Sequence, residues 1–416
     1  MLVTYLKENK IYVLLAAMIL LSVFAVTTYG QYTYYGAMAL IMIQSIRKKD
    51  SIESLFPVLL LWLLVCSLVN GVFDWRYVAF ILVLGCASPM FSSYEGYLYR
   101  SKVLFAICMV LPIVTILNLY AYHAGINYFI LINYNVSDLN FSGFLYHPMW
   151  LSAINGASNV SLLYLFYKMK GSQWFIKYGI LLLLLASVYL SVVAASRSAL
   201  AASLIAMASM VYFYSNTGGK FIRNGVIVAI LVSLLLPYYQ SGGEQMQKKM
   251  DDVETGGNSR RDKWNARVDE FESSPLFGIG FATAHDEWGN LMTGTVETGS
   301  GWLTILSQSG LIGAFIMFLI LRRVYVPIEE IREKRGLLVI FGCELIYLFM
   351  HSCFEGYIYT AGYCPCLFFW LVVGFFYEYN KYGLPIETVE EDEEDEEEVE
   401  EDEELYEEVD ADFLPS

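Results

Sequence analysis

Apolar segments close to the length of a membrane crossing recur along almost the whole chain, and few folds accommodate that pattern. A spanning helix needs about 20 mostly apolar residues. Segments near that length lie at residues 11–30, 31–46, 55–71, 76–91, 103–122, 149–167, 174–195, 198–214, 225–239, 302–321, 337–353 and 357–379. Only 16% of residues are charged against 56% hydrophobic, which excludes an ordinary soluble enzyme. In lipid, backbone N–H and C=O groups must be satisfied within the segment, so each run is expected to be a helix. The expected fold is all-α: a polytopic transmembrane helical bundle of about twelve spans over residues 1–382. The first span leads into a second apolar segment rather than a small-residue cleavage site, so it reads as an anchor.

The net charge of −16 has a local origin. Residues 387–412 carry 19 acidic side chains and no basic one, so the rest of the chain is slightly basic, at +3. A block of like charge cannot bury a core, and residues 383–416 are expected to be a disordered, solvated acidic tail. In the body, Lys and Arg gather in every second loop: Lys7 and Lys10, Arg47 to Lys49, Arg100 and Lys102, Lys168 to Lys177, Lys220 and Arg223, Arg322 to Arg335, and Lys381. The positive-inside rule then puts both termini in the cytoplasm. The seven cysteines sit in or beside apolar spans without zinc spacing, and the four histidines are scattered, so no metal site is expected.

One long loop breaks the charge rule. Residues 240–301 fall on the outer side yet carry Lys248, Lys249, Arg260, Arg261, Lys263 and Arg267. Loops of this length cross regardless of charge, so the basic residues need another explanation, and anion binding is one. Residues 260–273 read as a short amphipathic helix with Trp264, Val268 and Phe271 on one face. Ser274-Pro275 ends it, and Gly278 and Gly280 permit a tight turn back toward the membrane.

Few residues offer chemistry. Arg197 stands between two apolar runs, where an arginine is costly unless paired, hydrated or interfacial. It is either a snorkelling side chain or a phosphate clamp, for which the planar, permanently charged guanidinium is suited. Arg260 and Arg261 head the loop helix, either as a solvated basic face or as a pyrophosphate-binding pair. Glu297, just before the tenth span, and His285, beside Asp286, are the candidate general bases. His147 terminates a loop before the sixth span. Glu344, His351 and Glu355 are expected to pair with one another or line a cavity rather than react.

These features together resemble the O-antigen ligase and O-antigen polymerase superfamily of bacterial membrane glycosyltransferases. The resemblance covers about residues 145–321. Ser196-Arg197 matches a Ser-Arg turn between two central helices, and Arg260 with Trp264 four residues on matches a pair in the large outer loop. Pro275-Leu276-Phe277-Gly278-Ile279-Gly280 and Gly310-Leu311-Ile312-Gly313 match the glycine-bearing turns that follow. The family's His-Asn is absent: Gly299 and Ser300 stand in its place. Glu297 or His285 would then have to serve as base, unless the chain belongs to a branch with a different solution.

The resemblance implies a multi-pass protein of the bacterial inner membrane, active in surface polysaccharide biosynthesis. It implies transfer or polymerisation of oligosaccharide from an undecaprenyl-pyrophosphate donor, with inversion and without metal or cofactor. The acceptor would be a glycan, a lipid A-core or another surface group. Membrane lipids are the other expected partner, and nucleic acid is not. Arg197 and Arg260, with Arg261, would stabilise the departing pyrophosphate. The competing class is a polysaccharide-related transporter or flippase, which should show Gly/Pro-interrupted helices paired in two related halves. No such pairing is visible in the sequence.

Overall fold

The computed structural model describes residues 8–25, 27, 29–132, 140–215, 219, 259–286, 288–294 and 298–385. They form helices α1 (Lys10–Leu20), α2 (Gly30–Arg47), α3 (Leu55–Val69), α4 (Arg76–Ala87), α5 (Tyr94–His123), α6 (Tyr128–Ile132), α7 (Pro148–Lys168), α8 (Trp174–Val193) and α9 (Arg197–Tyr214). Then come α10 (Ser259–Ser273), α11 (Gly301–Arg322), α12 (Ile328–Lys334), α13 (Gly336–Ser352) and α14 (Cys364–Tyr382). Two short antiparallel ribbons accompany them, β1 (Ser51–Ile52) with β2 (Phe91–Ser92) and β3 (Thr283–His285) with β4 (Leu291–Thr293).

The body is mostly helical, as expected, and every expected span within the described residues coincides with a helix. By length and composition, four of these are suited to cross a membrane: α5, α8, α9 and α11. The first expected span stops early, at Leu20, where a 3-10 turn over Leu21–Val23 intervenes before α2. The last expected span starts late. Its first residues wind irregularly through Tyr357 to Tyr363, and the helix begins at Cys364. The expected span at 225–239, most of the outer loop before residue 259 and the acidic tail beyond residue 385 lie outside the described residues.

Helix α14 is the hub, buried from Cys364 through Tyr379. It packs against α4, α5 and α13, with Trp370, Phe369 and Phe376 fully enclosed. Helix α7 is the second hub, and its buried face is polar. Asn155 accepts from Thr115 of α5 at 2.9 Å and donates to the Ser187 carbonyl of α8 at 2.7 Å, while Ser161 donates to Glu344 of α13 at 3.1 Å. Small residues let the helices approach, and such hydrogen bonds hold them where lipid supplies no hydrophobic drive between helices.

Arg100, expected among the loop cations, is instead buried within α5. Its guanidinium donates to Glu378 of α14 at 3.2 and 2.7 Å and to Ser45 of α2 at 2.9 Å. A charge that far from water persists only with its counter-charge and hydrogen bonds in place.

The bundle has two distinguishable ends. At one, Arg332 donates to the Ser215 carbonyl, Lys334 pairs with Glu330, and Lys381 pairs with Glu53. Helix α9 leaves this end at Ser215 and begins at the other, at Arg197; α13 begins at this end and finishes at the other, at Ser352. The loop helix α10 lies at that opposite end.

Candidate active site

The turn after α10 and the broken middle of α11 interlock. Gly310 has φ 62° and ψ −168°, which interrupts α11 and leaves carbonyls without helical partners. The turn supplies the missing donors: Ile279 N–H binds the Ser307 carbonyl at 2.8 Å, and Gly280 N–H binds that of Gln308 at 3.2 Å. In return, Leu311 N–H binds the Pro275 carbonyl at 2.8 Å. A Cβ on Gly278 would lie 2.4 Å from the Gln308 carbonyl carbon, and one on Gly310 would lie 2.3 Å from the Leu276 oxygen. Both glycines therefore serve close backbone approach as well as positive φ. Ser67 of α3 and Asn70, which caps its end, complete the anchor: Asn70 donates to the Gly278 carbonyl at 3.0 Å, and Ser67 Oγ accepts the Phe281 N–H at 3.0 Å.

With its far end pinned, α10 lies over the body by a face the apolar pattern does not forecast. Val268 is exposed and Phe271 only half-buried, whereas Arg267 and Glu270 are buried. These two form an ion pair one turn apart at 2.5 Å, and Glu270 also accepts the backbone N–H of His285 at 2.9 Å. Burial pushes the Glu270 carboxyl above its ordinary pKa and the Arg267 guanidinium below its own, and their mutual attraction opposes both shifts. Desolvation thus turns the expected apolar stripe into an internal polar clasp.

The clasp presents the start of α10 to the ends of three other helices. Arg260 donates to Glu355 Oε1 at 2.8 Å, to the Phe354 carbonyl at 3.0 Å and to Ser198 Oγ at 3.4 Å. Its guanidinium lies over the Phe354 ring, and Trp264 donates to the Gly299 carbonyl at 3.0 Å. Arg197, the first residue of α9, is exposed immediately beside Ser198. Arg197 and Arg260 therefore share one end of the bundle. The positive N-terminus of α9 adds to the same field.

Beside Arg260 opens a cavity of about 270 Å³. Glu355, His147, Trp150, Thr298, Tyr357 and Tyr363 contribute to its wall. Trp150 and Tyr363 form an aromatic shelf, with ring centroids 4.9 Å apart and planes at 34°. A Cβ on Gly356 would lie 1.5 Å from Thr298 Oγ1, so the wall closes only because that position is glycine.

The remaining expected site residues fall elsewhere. Arg261 is exposed on the outer face of α10. His285 lies in β3, away from the cavity wall, with its backbone engaged in the clasp. Glu297 lies outside the described residues, although Thr298 and Gly299, which follow it, line the cavity. The sequence presents His147 as a loop terminator, and Glu355 either as a partner for Glu344 or His351 or as a residue lining a cavity. Both line the cavity, and Glu355 pairs with Arg260. The usable signal was the Phe354-Glu-Gly-Tyr357 interruption, where the apolar pattern breaks around an acid.

Residues 179–318 match the family model of the O-antigen ligases. No curated protein matches the chain. The matched stretch holds Arg197, Arg260, the interlocked glycine turns and, of the cavity wall, Thr298 and Gly299, so this part of the membrane protein is similar to the O-antigen ligases and supports the O-antigen ligase/polymerase superfamily.

Proposed function

We propose that the chain is a ligase- or polymerase-type glycosyltransferase of the bacterial inner membrane, with both termini in the cytoplasm and about twelve crossings. Its donor is an oligosaccharide on undecaprenyl pyrophosphate, and its acceptor is a glycan, lipid A-core or other surface group. Arg197, Arg260 and the N-terminus of α9 receive the pyrophosphate, while exposed Arg261 adds attraction at longer range. As the sugar–phosphate bond breaks, charge accumulates on the leaving group, and fixed guanidinium groups at the bilayer edge stabilise it without reorganising.

The observation that carries this reading is the convergence of Arg260 on Ser198, the neighbour of Arg197, while the same guanidinium pairs with Glu355 of the cavity wall. The test is mass spectrometry of lipid-linked glycans in cells lacking the protein. Single repeat units without longer chains indicate a polymerase. Accumulated lipid-linked polymer beside bare acceptor indicates a ligase. Donor retained on the cytoplasmic leaflet would overturn both in favour of transport.

A further inference from the structure

Arg260 is already occupied: its charge is matched by Glu355, which also lines the cavity. We propose that Glu355 is the base for the acceptor hydroxyl, held by Arg260 until the donor's pyrophosphate displaces it. The inference rests on the glycosyl-transfer reading above and names the acceptor half of the same site.

Three observations support it. First, the pair is only partly shielded, with the Arg260 side chain 33% exposed and that of Glu355 12%. An arriving diphosphate can therefore reach the guanidinium and compete for it, and its two charges outbid one carboxylate. Second, the cavity suits an acceptor sugar. Its 270 Å³ lies just under the ~300 Å³ at which drug-sized ligand sites begin, which matches a terminal monosaccharide. The Trp150/Tyr363 shelf offers apolar faces to the C–H side of a pyranose, with Glu355 and Thr298 on the polar walls. Third, the nearest rival on the wall is ill-suited. His147 Nδ1 accepts the Met149 N–H at 3.1 Å, which puts the ring proton on Nε2 and makes that nitrogen a donor.

The step balances. With Arg260 taken by pyrophosphate, a Glu355 oxygen accepts the proton of the acceptor hydroxyl. The hydroxyl oxygen bonds to the anomeric carbon of the donor sugar. The bond from that carbon to the pyrophosphate oxygen breaks, and its electron pair leaves on undecaprenyl pyrophosphate, whose added charge Arg197 and Arg260 balance.

The exchange predicts opposite effects on binding and turnover from one substitution. Full-length protein in nanodiscs is titrated with undecaprenyl pyrophosphate. Turnover is measured separately, with lipid-linked glycan and acceptor membranes from cells lacking the protein. Glu355→Gln should bind undecaprenyl pyrophosphate several-fold more tightly, because a competing charge is gone, while kcat falls about 10²- to 10⁴-fold. A merely structural ion pair would lose binding and turnover together, and that result overturns the proposal. So does undiminished turnover, or a Glu297→Gln variant that shows the split instead. Should Glu355→Gln fail to fold, Glu355→Ala with added formate replaces it: restored turnover supports the base, and absence of rescue in folded protein refutes it. If the wild type neither binds undecaprenyl pyrophosphate nor transfers glycan, the functional reading fails before this inference is reached.

Discussion

Arg260 Nη2 donates to Ser198 Oγ at 3.4 Å, and Ser198 directly follows Arg197 at the start of α9. This contact joins two arginines separated in sequence by α9, an expected span and the first part of the outer loop. It gives α9 and α10 a shared positive face beside the cavity.

Removing either arginine should therefore abolish most transfer. Arg197→Ala and Arg260→Ala are each expected to lower kcat about 10²- to 10³-fold, the usual cost of one preorganised charge-stabilising donor, with the protein still in the membrane. Arg261→Ala, exposed one residue away, should cost far less. Transfer assays on the three variants check this ranking, and equal losses at Arg260 and Arg261 would contradict it.

If guanidinium groups carry the leaving-group charge, EDTA leaves the transfer rate unchanged. Activity that collapses on chelation and returns only with a divalent cation would remove the arginine mechanism.

The Arg267–Glu270 pair should behave as a buried clasp. Glu270→Ala strands the Arg267 charge and is expected to cost about 3–5 kcal/mol in the docking of α10. The double variant Arg267→Met/Glu270→Leu should recover most of that loss. Amide exchange along α10 measures both, and additive losses in the double variant would show that the two side chains act independently.

The site of truncation matters for the tail. Tyr382 bonds Ser92 at 3.2 Å and stacks on Tyr97, whose hydroxyl donates to the Gly383 carbonyl at 3.1 Å. Cutting after Pro385 should leave stability and transfer unchanged. Cutting after Lys381 removes these contacts and should destabilise the bundle by about 1–3 kcal/mol, read as a lower unfolding temperature in detergent.

The sequence by itself determined the helical body. Long apolar runs leave the backbone no other way to satisfy its polar groups in lipid, so the positions of α2, α3, α7 and α13 are legible within a few residues. It also marked Arg197, Arg260 and the glycine turns, because arginines beside membrane spans and paired glycines are costly without a purpose. Tertiary structure alone decided how these pieces meet. The apolar stripe of residues 264, 268 and 271 misled because Arg267 and Glu270, whose charges offset part of each other's desolvation, take the buried face instead. Glu355 lines a cavity, one of the two places the sequence offered it, but its ionic partner is Arg260 and not Glu344 or His351, since Coulomb attraction and desolvation depend on distance in space and not on order along the chain. For the same reason His285, sound in chemistry as a base, stands away from the cavity, while Glu355 lines it.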